Sequence, residues 1–211
     1  MKLVIFGANG PVGKLLTRQA LSDGHEVGAV TRHPDTFPIQ HDRLTVLPGD
    51  VFNADDVARA VDGHEAVLSL FGSPYTLKPV WVYSKGTANI IEAMHKAGRR
   101  RLVCCTSGGT NPHYDRDEGV IFGLFIKPII GRTLYADMRR MEEIVMASDL
   151  DWTIARPAQL VDASAVSEYH LAERYMVPGM TKTARVDLAD FMLKEAVDPR
   201  HICKAVAIAT G

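Results

Sequence analysis

Three glycines near the amino terminus are spaced so that they could hold a phosphate. Gly7, Gly10 and Gly13 lie between an apolar stretch that predicts a strand, Lys2–Phe6, and a helix that begins at Pro11. In such a turn the first glycine permits the bend, the second lets backbone approach a pyrophosphate, and the third lets the helix pack on the sheet. Amide groups of the first helical turn attract the phosphates. The run predicts a dinucleotide site, with a purely structural turn as the alternative.

The residue after the second predicted strand bears on which dinucleotide binds. An NAD site usually has Asp or Glu there, about 20 residues beyond the glycines, to hold the ribose hydroxyls. Here the strand Glu26–Thr31 is followed by Arg32, and its tip carries no carboxylate. A guanidinium can bind a 2′-phosphate through two hydrogen bonds. We therefore predict that NADPH is preferred over NADH. The alternative is a solvated surface arginine.

The ends of the third and fourth predicted strands add candidate cofactor contacts. Asp50 and Val51 follow the third strand. A carboxylate there can accept a hydrogen bond from an adenine amino group or cap the next helix. Leu70, Phe71 and Gly72 end the fourth strand, and the glycine leaves the backbone open to close approach.

Strands and helices alternate along the whole chain and would position these residues. The predicted strands are Lys2–Phe6, Glu26–Thr31, Leu44–Leu47, Glu65–Leu70, Arg101–Cys105, Trp152–Ala155 and Ala205–Ala209. This alternation predicts one α/β domain over residues 1–211, a doubly wound, mostly parallel Rossmann sheet with helices on both faces. Two small segments, about residues 110–132 and 158–185, are expected to cover a substrate. Within the second, Ala163–Tyr175 is expected to form a short hairpin or strand.

Composition narrows the class of protein. The 211 residues carry 24 basic and 25 acidic side chains, a net charge of -1, which argues against nucleic acid as a partner. No apolar run approaches the roughly 20 residues of a membrane span, and the amino-terminal stretch reads as a strand and not a signal peptide. The three cysteines lack ligand spacing, which predicts no metal site and a reducing cytoplasm. Adjacent Cys104 and Cys105 should point to opposite faces of a strand.

Several segments together resemble the atypical short-chain dehydrogenases with an NmrA-like NAD(P)-binding domain. They are GANGPVG, the arginine after the second strand, GDV, the Thr106-Ser107-Gly108 turn, YSKGTANI and LDWTIARP. Within that group the chain is most similar to the flavin reductase/biliverdin reductase B type. The resemblance implies NADP contacts from Gly7, Asn9, Gly10, Pro11, Val12, Gly13, Arg32, Asp50, Val51, Leu70, Phe71 and Gly72. It also implies that Tyr83, Cys105 and Gln159 lie along the nicotinamide half and that Ser107 is catalytic.

The chain departs from the pattern of the wider superfamily at its catalytic helix. Many members use a Tyr-x-x-x-Lys pair, whereas the nearest match here is Tyr135 with Arg139. Alignment backwards from Ser148 puts the lysine position on Met138 instead. The reductase type also tends to have histidines where this chain has Met138 and Gln159. On the same helix, Glu142 is expected to be a surface residue.

The poor Tyr-x-x-x-Lys match favours an acceptor that needs little acid catalysis. The leading hypothesis is an NADPH-dependent oxidoreductase that passes hydride to a flavin, a biliverdin-like tetrapyrrole or a quinone. Tyr114, Phe122, Phe125 and Trp81 could offer stacking surface to such a ring. The alternatives are a reductase or isomerase of a small carbonyl compound and a non-catalytic, NADP(H)-binding redox sensor. Small-molecule partners and a monomer or weak homo-oligomer are expected.

Overall fold

A central parallel sheet organises the computed structural model, which describes residues 1–113, 126–129 and 131–211. The strands of the chain are β1 Lys2–Phe6, β2 Glu26–Thr31, β3 Leu44–Pro48, β4 Ala66–Ser69, β5 Arg101–Cys105, β6 Asp151–Pro157, β7 Gln159–Val161, β8 Tyr169–Ala172, β9 Lys182–Ala184 and β10 Lys204–Thr210. Its helices are α1 Pro11–Ser22, α2 Ala54–Val61, α3 Val82–Lys96, α4 Lys127–Ile129, α5 Arg132–Met146 and α6 Arg185–Val197. The seven predicted strands are confirmed, with ends that differ by no more than two residues.

The order of the strands confirms the predicted fold class. Eight strands pair in the order β3-β2-β1-β4-β5-β6-β10-β8, and all the pairs are parallel except the last. Strand β1 lies between β2 and β4, so Val4 is in register with Gly28 on one side and Val67 on the other. The chain reverses its direction across the sheet at β1. In such sheets a ligand binds beyond the carboxyl ends of the strands at this switch point.

The segment around Ala163–Tyr175 forms a strand and not a hairpin. Strand β8 pairs antiparallel with β10 at the edge of the main sheet. Strands β7 and β9, which were not predicted, make a separate parallel pair. Each has only three residues, too few for an alternating pattern to show.

Two apolar layers cover the sheet. Helices α1 and α6 pack on one face around Leu16, Leu188 and the strand residue Ile5. Helices α2, α3 and α5 pack on the other. Cys105 faces the first layer and Cys104 the second, which confirms the predicted alternation.

The helices next to the candidate site begin in different ways. Asn53 caps α2, since its side chain accepts hydrogen bonds from the amides of Asp55 at 3.0 Å and Asp56 at 3.3 Å. The start of α3 is instead held by Asp137 of α5, which accepts from the Tyr83 amide at 2.9 Å. A cap supplied from another helix is not visible in the local sequence.

The described residues contain neither a candidate membrane-spanning helix nor a candidate metal cluster. None of their helices is both long and apolar enough to cross a membrane. Nor do they bring together three His, Cys, Asp or Glu side chains as a metal ion would need.

Candidate active site

The glycine turn after β1 is closed too tightly for side chains at two of its positions. Gly7 has a φ of +83°, and a Cβ added there would lie 2.2 Å from the Leu70 carbonyl oxygen. A Cβ on Gly13 would lie 2.3 Å from the Gly7 carbonyl oxygen. The Gly10 amide donates to that carbonyl at 3.0 Å. The turn therefore presents bare backbone at the carboxyl end of β1.

The start of α1 suits an anion. Within the described part of the chain, no side chain caps α1, whereas Asn53 caps α2. The amides at the start of a helix carry partial positive charge and need acceptors. A pyrophosphate can provide them, so the bare turn and the uncapped helix fit a dinucleotide.

The residues predicted to hold the adenosine half lie at the ends of β2 and β3. Arg32 is exposed directly after β2. Asp50 accepts a hydrogen bond from the Phe52 amide at 3.0 Å, and its own amide donates to Asp56 at 2.9 Å. Asp50 thus shapes the turn before α2, while Asn53 caps the helix. A contact between Asp50 and adenine stays a prediction.

Val51, which follows β3, and Phe71, which follows β4, both pack against α3 at Gly86. A Cβ on Gly86 would lie 2.9 Å from Val51 Cγ2 and 3.0 Å from Phe71 Cε2. The Asn89 side-chain amide donates to the Val51 carbonyl at 2.8 Å. Gly86 and Asn89 belong to the YSKGTANI segment, but neither was predicted to be a site residue. A glycine inside a helix was the available signal, because it often marks close packing.

Ser107, Tyr135 and Tyr75 form a hydroxyl cluster beyond the end of β5. The Ser107 hydroxyl accepts from the Gly109 amide at 3.1 Å. The Tyr135 hydroxyl lies 2.9 Å from the Tyr75 hydroxyl, and the Ser107 side chain is near enough to lower the pKa of Tyr135 in part. Added Cβ atoms on Gly109 and Gly131 would lie 2.6 and 2.7 Å from the Tyr135 ring, so the ring sits between these glycines.

Tyr135 lies in the first turn of α5 and packs in the same apolar layer as Met138. A catalytic role for Tyr135 or Arg139 stays a prediction. Burial, and next the bond with Tyr75, raises the pKa of Tyr135 far above its ordinary value. The hydroxyl is therefore protonated at neutral pH and can donate a hydrogen bond. The sequence analysis missed Tyr75, which lies 60 residues from Tyr135.

The residues expected along the nicotinamide half have different environments. Tyr83 is buried, and burial raises the pKa of its hydroxyl. Burial raises the pKa of Cys105 to about 12, so this thiol is not a nucleophile at neutral pH. Gln159 is exposed on β7. Contact between the nicotinamide and any of these three residues stays a prediction.

Of the four aromatic residues proposed to stack on a substrate, the structure places one. Trp81 is exposed just before α3, with the Arg140 guanidinium 5.0 Å and the Lys85 amine 5.3 Å from its ring centre. Tyr114, Phe122 and Phe125 lie outside the described residues.

A buried ion pair supports the Ser107 turn. Arg156 Nε and Nη2 donate to the two Glu142 carboxylate oxygens at 3.0 and 2.8 Å. Glu142 Oε1 also accepts from the hydroxyls of Thr106 at 2.6 Å and Thr110 at 3.1 Å, on either side of Ser107. The expectation that Glu142 is a surface residue is wrong. Its charge is tolerated in the interior because Arg156 and two hydroxyls surround it.

The fold and the bare glycine turn define a Rossmann-type nucleotide-binding protein. More narrowly, the chain belongs to the NAD(P)H-binding family, whose profile matches residues 7–199. A 3-beta-hydroxysteroid dehydrogenase from Mycolicibacterium neoaurum is 33% identical over 117 residues, which make up 50% of this chain and 32% of that protein. The chain spans about a third or less of the length of such curated relatives.

Solved structures share the fold over nearly the whole chain. A short-chain dehydrogenase/reductase from Veillonella parvula, solved in complex with NADP, superposes with a TM-score of 0.81 at 18% identity, covering 99% of this chain and 94% of that one. A candidate NADH-flavin reductase from Streptococcus pneumoniae superposes with a TM-score of 0.79 at 24% identity, and both chains are covered completely.

Proposed function

We propose that this chain is an NADPH-dependent oxidoreductase that reduces a planar conjugated acceptor: a flavin, a biliverdin-like tetrapyrrole or a quinone. One observation carries the proposal. The bare glycine turn follows β1 and the Ser107 cluster follows β5, so both lie beyond the carboxyl ends of the parallel strands. Only β4 lies between these two strands. Two strand spacings are roughly 10 Å, a distance that a dinucleotide readily spans. When bound, the dinucleotide supplies the hydride.

Different residues of the chain would bind the cofactor and donate hydrogen bonds to the acceptor. The α1 amides hold the pyrophosphate, and Arg32 holds a 2′-phosphate. Ser107 and Tyr135 place hydrogen-bond donors where the acceptor gains electron density. The similarity to the flavin reductase/biliverdin reductase B type, and the fold shared with the streptococcal protein, support the choice of acceptor. A cytoplasmic location and a monomer or weak homo-oligomer belong to the same proposal.

Turnover assays test this function directly. Purified protein is mixed with NADPH and with FMN, biliverdin or a naphthoquinone, and the loss of NADPH absorbance is followed. We expect turnover with at least one of these acceptors. NADPH binding without turnover of any acceptor would contradict the proposal and would favour a redox sensor.

Arg32→Ala is expected to weaken NADPH binding roughly 10- to 100-fold, because a charge-assisted hydrogen bond contributes about 1.5–3 kcal/mol. NADH binding should change little, because NADH has no 2′-phosphate. Calorimetric titration with both nucleotides measures the effect. Arg18→Ala, which removes an exposed charge farther along α1, is the matched control. Equal losses for NADPH and NADH in Arg32→Ala would show that Arg32 does not read the phosphate.

The hydroxyl cluster favours a second candidate function, reduction of a simple carbonyl compound. Such a substrate needs a proton on its oxygen as the hydride arrives, and a positioned acid typically contributes about 10²–10⁴-fold. Tyr135, whose hydroxyl lies 2.9 Å from that of Tyr75, would donate it. This arrangement supports Tyr135 as the acid, although the Tyr-x-x-x-Lys match is imperfect.

Tyr135→Phe separates the two candidates. For a ketone or aldehyde we expect kcat to fall by about 10²-fold or more. For FMN, whose conjugated ring can take its proton from solvent, the change should be small. Tyr169→Phe serves as control, because it removes another hydroxyl that donates a 2.8 Å bond, to Asp190, away from the site. If Tyr135→Phe keeps full activity toward every acceptor, Tyr135 is not an acid.

A further inference from the structure

A hydrogen bond from α5 fixes the loop after β4, which contains Tyr75. The Thr133 hydroxyl on α5 donates to the Thr76 carbonyl at 2.7 Å. The rings of Tyr75 and Tyr135 are tilted by 59° with centres 6.4 Å apart, so their hydroxyls meet while the rings diverge. Tyr75 is thus held against Tyr135 by its own loop.

The two tyrosines differ sharply in contact with solvent. Tyr135 is 4% exposed, whereas Tyr75 is 49% exposed. If Tyr135 gave up its proton, it would leave an anion in a buried place, which is costly. A buried acid therefore needs a route by which a new proton arrives. The Tyr75 hydroxyl, 2.9 Å away on a half-exposed side chain, provides such a route.

We propose that Tyr75 is the proton relay of Tyr135, and that the site therefore serves an acceptor protonated on oxygen, a quinone or a ketone. This inference rests on the proposed function. A C–H bond forms at a carbon bonded to or conjugated with that oxygen, and the C=O π electrons move onto the oxygen. The Tyr135 O–H bond breaks and its proton goes to that oxygen. The Tyr75 proton passes to Tyr135, and water reprotonates Tyr75. The acceptor gains the two electrons that the reduced nicotinamide loses.

The relay depends on the hydroxyl of Tyr75 and not on its ring, which makes Tyr75→Phe the informative variant. We expect kcat with a naphthoquinone to fall about tenfold with KM unchanged, because the acid itself stays in place. The solvent deuterium isotope effect on kcat should rise, since proton supply becomes slower. Tyr75→His, which restores an exchangeable proton, should recover part of kcat. NADPH binding measured by calorimetry should not change.

Leu77→Ala is the matched control, because Leu77 lies in the same loop and is 75% exposed. It should leave kcat and the isotope effect unchanged. An unchanged kcat in Tyr75→Phe would overturn the relay. A raised kcat would also overturn it, because it would mean that the bond between the hydroxyls holds the acid back.

A measurement on the protein without nucleotide separates the relay from the proposed function. The exchange of the Tyr135 hydroxyl proton with water is followed by NMR on tyrosine-labelled protein. Tyr75→Phe should slow this exchange about tenfold, in step with the fall in kcat. Exchange at the wild-type rate would sink the relay even if the protein reduces quinones. Conversely, a protein that binds NADPH and reduces nothing fails the proposed function, and the exchange rate still decides the relay.

Discussion

Replacing Glu142 with alanine is expected to destabilise the protein by about 3–5 kcal/mol, because it leaves the buried Arg156 charge without its partner. The hydroxyls of Thr106 and Thr110 lose a shared acceptor in the same variant. The turn that carries Ser107 should then lose its fixed position, so kcat should fall as well. Urea denaturation, followed by circular dichroism, measures the change in stability.

Asp149→Ala is the matched control for this buried pair. The Asp149 carboxylate also bonds to two side chains, His95 at 2.7 Å and Arg100 at 3.4 Å, but at the surface. Its removal should cost no more than about 1 kcal/mol, because exposed ion pairs contribute little. The double variant Glu142→Leu/Arg156→Met should recover part of the loss, since it removes both charges. If Glu142→Ala is as mild as Asp149→Ala, the pair does not support the turn.

Gly7→Ala is expected to cost about 3 kcal/mol and to abolish measurable nucleotide binding. Two effects add: the added Cβ would lie 2.2 Å from the Leu70 carbonyl oxygen, and the φ of +83° is unfavourable for alanine. The backbone must shift to relieve the overlap, and the shift moves the turn proposed to hold the pyrophosphate. Thermal unfolding and calorimetric titration with NADPH measure the two losses.

Gly63→Ala separates the cost of the positive φ from the cost of the steric overlap. Gly63 also has a positive φ, +74°, but an added Cβ would meet no atom within 4 Å. This variant should lose only the conformational part, about 1–2 kcal/mol, and should bind NADPH normally. A Gly7→Ala protein that binds NADPH as well as Gly63→Ala would show that the closed turn is not the phosphate site.

The sequence predicted the local elements well, because their signals lie within a few residues of each other. Short apolar runs located the strands, and the spacing of Gly7, Gly10 and Gly13 located the turn. The cap at Asn53 is equally local, since its partners are the amides two and three residues further on. The alternation of Cys104 and Cys105 follows from strand geometry alone. The fold class followed from the order of these elements.

The candidate catalytic cluster was predicted only in part. Ser107 was predicted from the family resemblance, and Tyr135 was noted from an imperfect match to the Tyr-x-x-x-Lys pair. Tyr75 has no signal of its own, because it lies in an irregular loop between β4 and α3. Its role depends on the distance between two hydroxyls, which no spacing along the chain encodes.

The sequence alone determined a doubly wound sheet and a glycine turn with an arginine after the next strand, and hence predicted a protein that binds a nicotinamide dinucleotide. The tertiary structure alone decided that Glu142 is buried with Arg156, that Asp137 holds the start of α3, and that β8 joins the sheet edge. The physical reason is the range of the interactions. Periodicity and turn geometry act within one element, whereas burial and hydrogen-bond partners depend on which distant elements pack together.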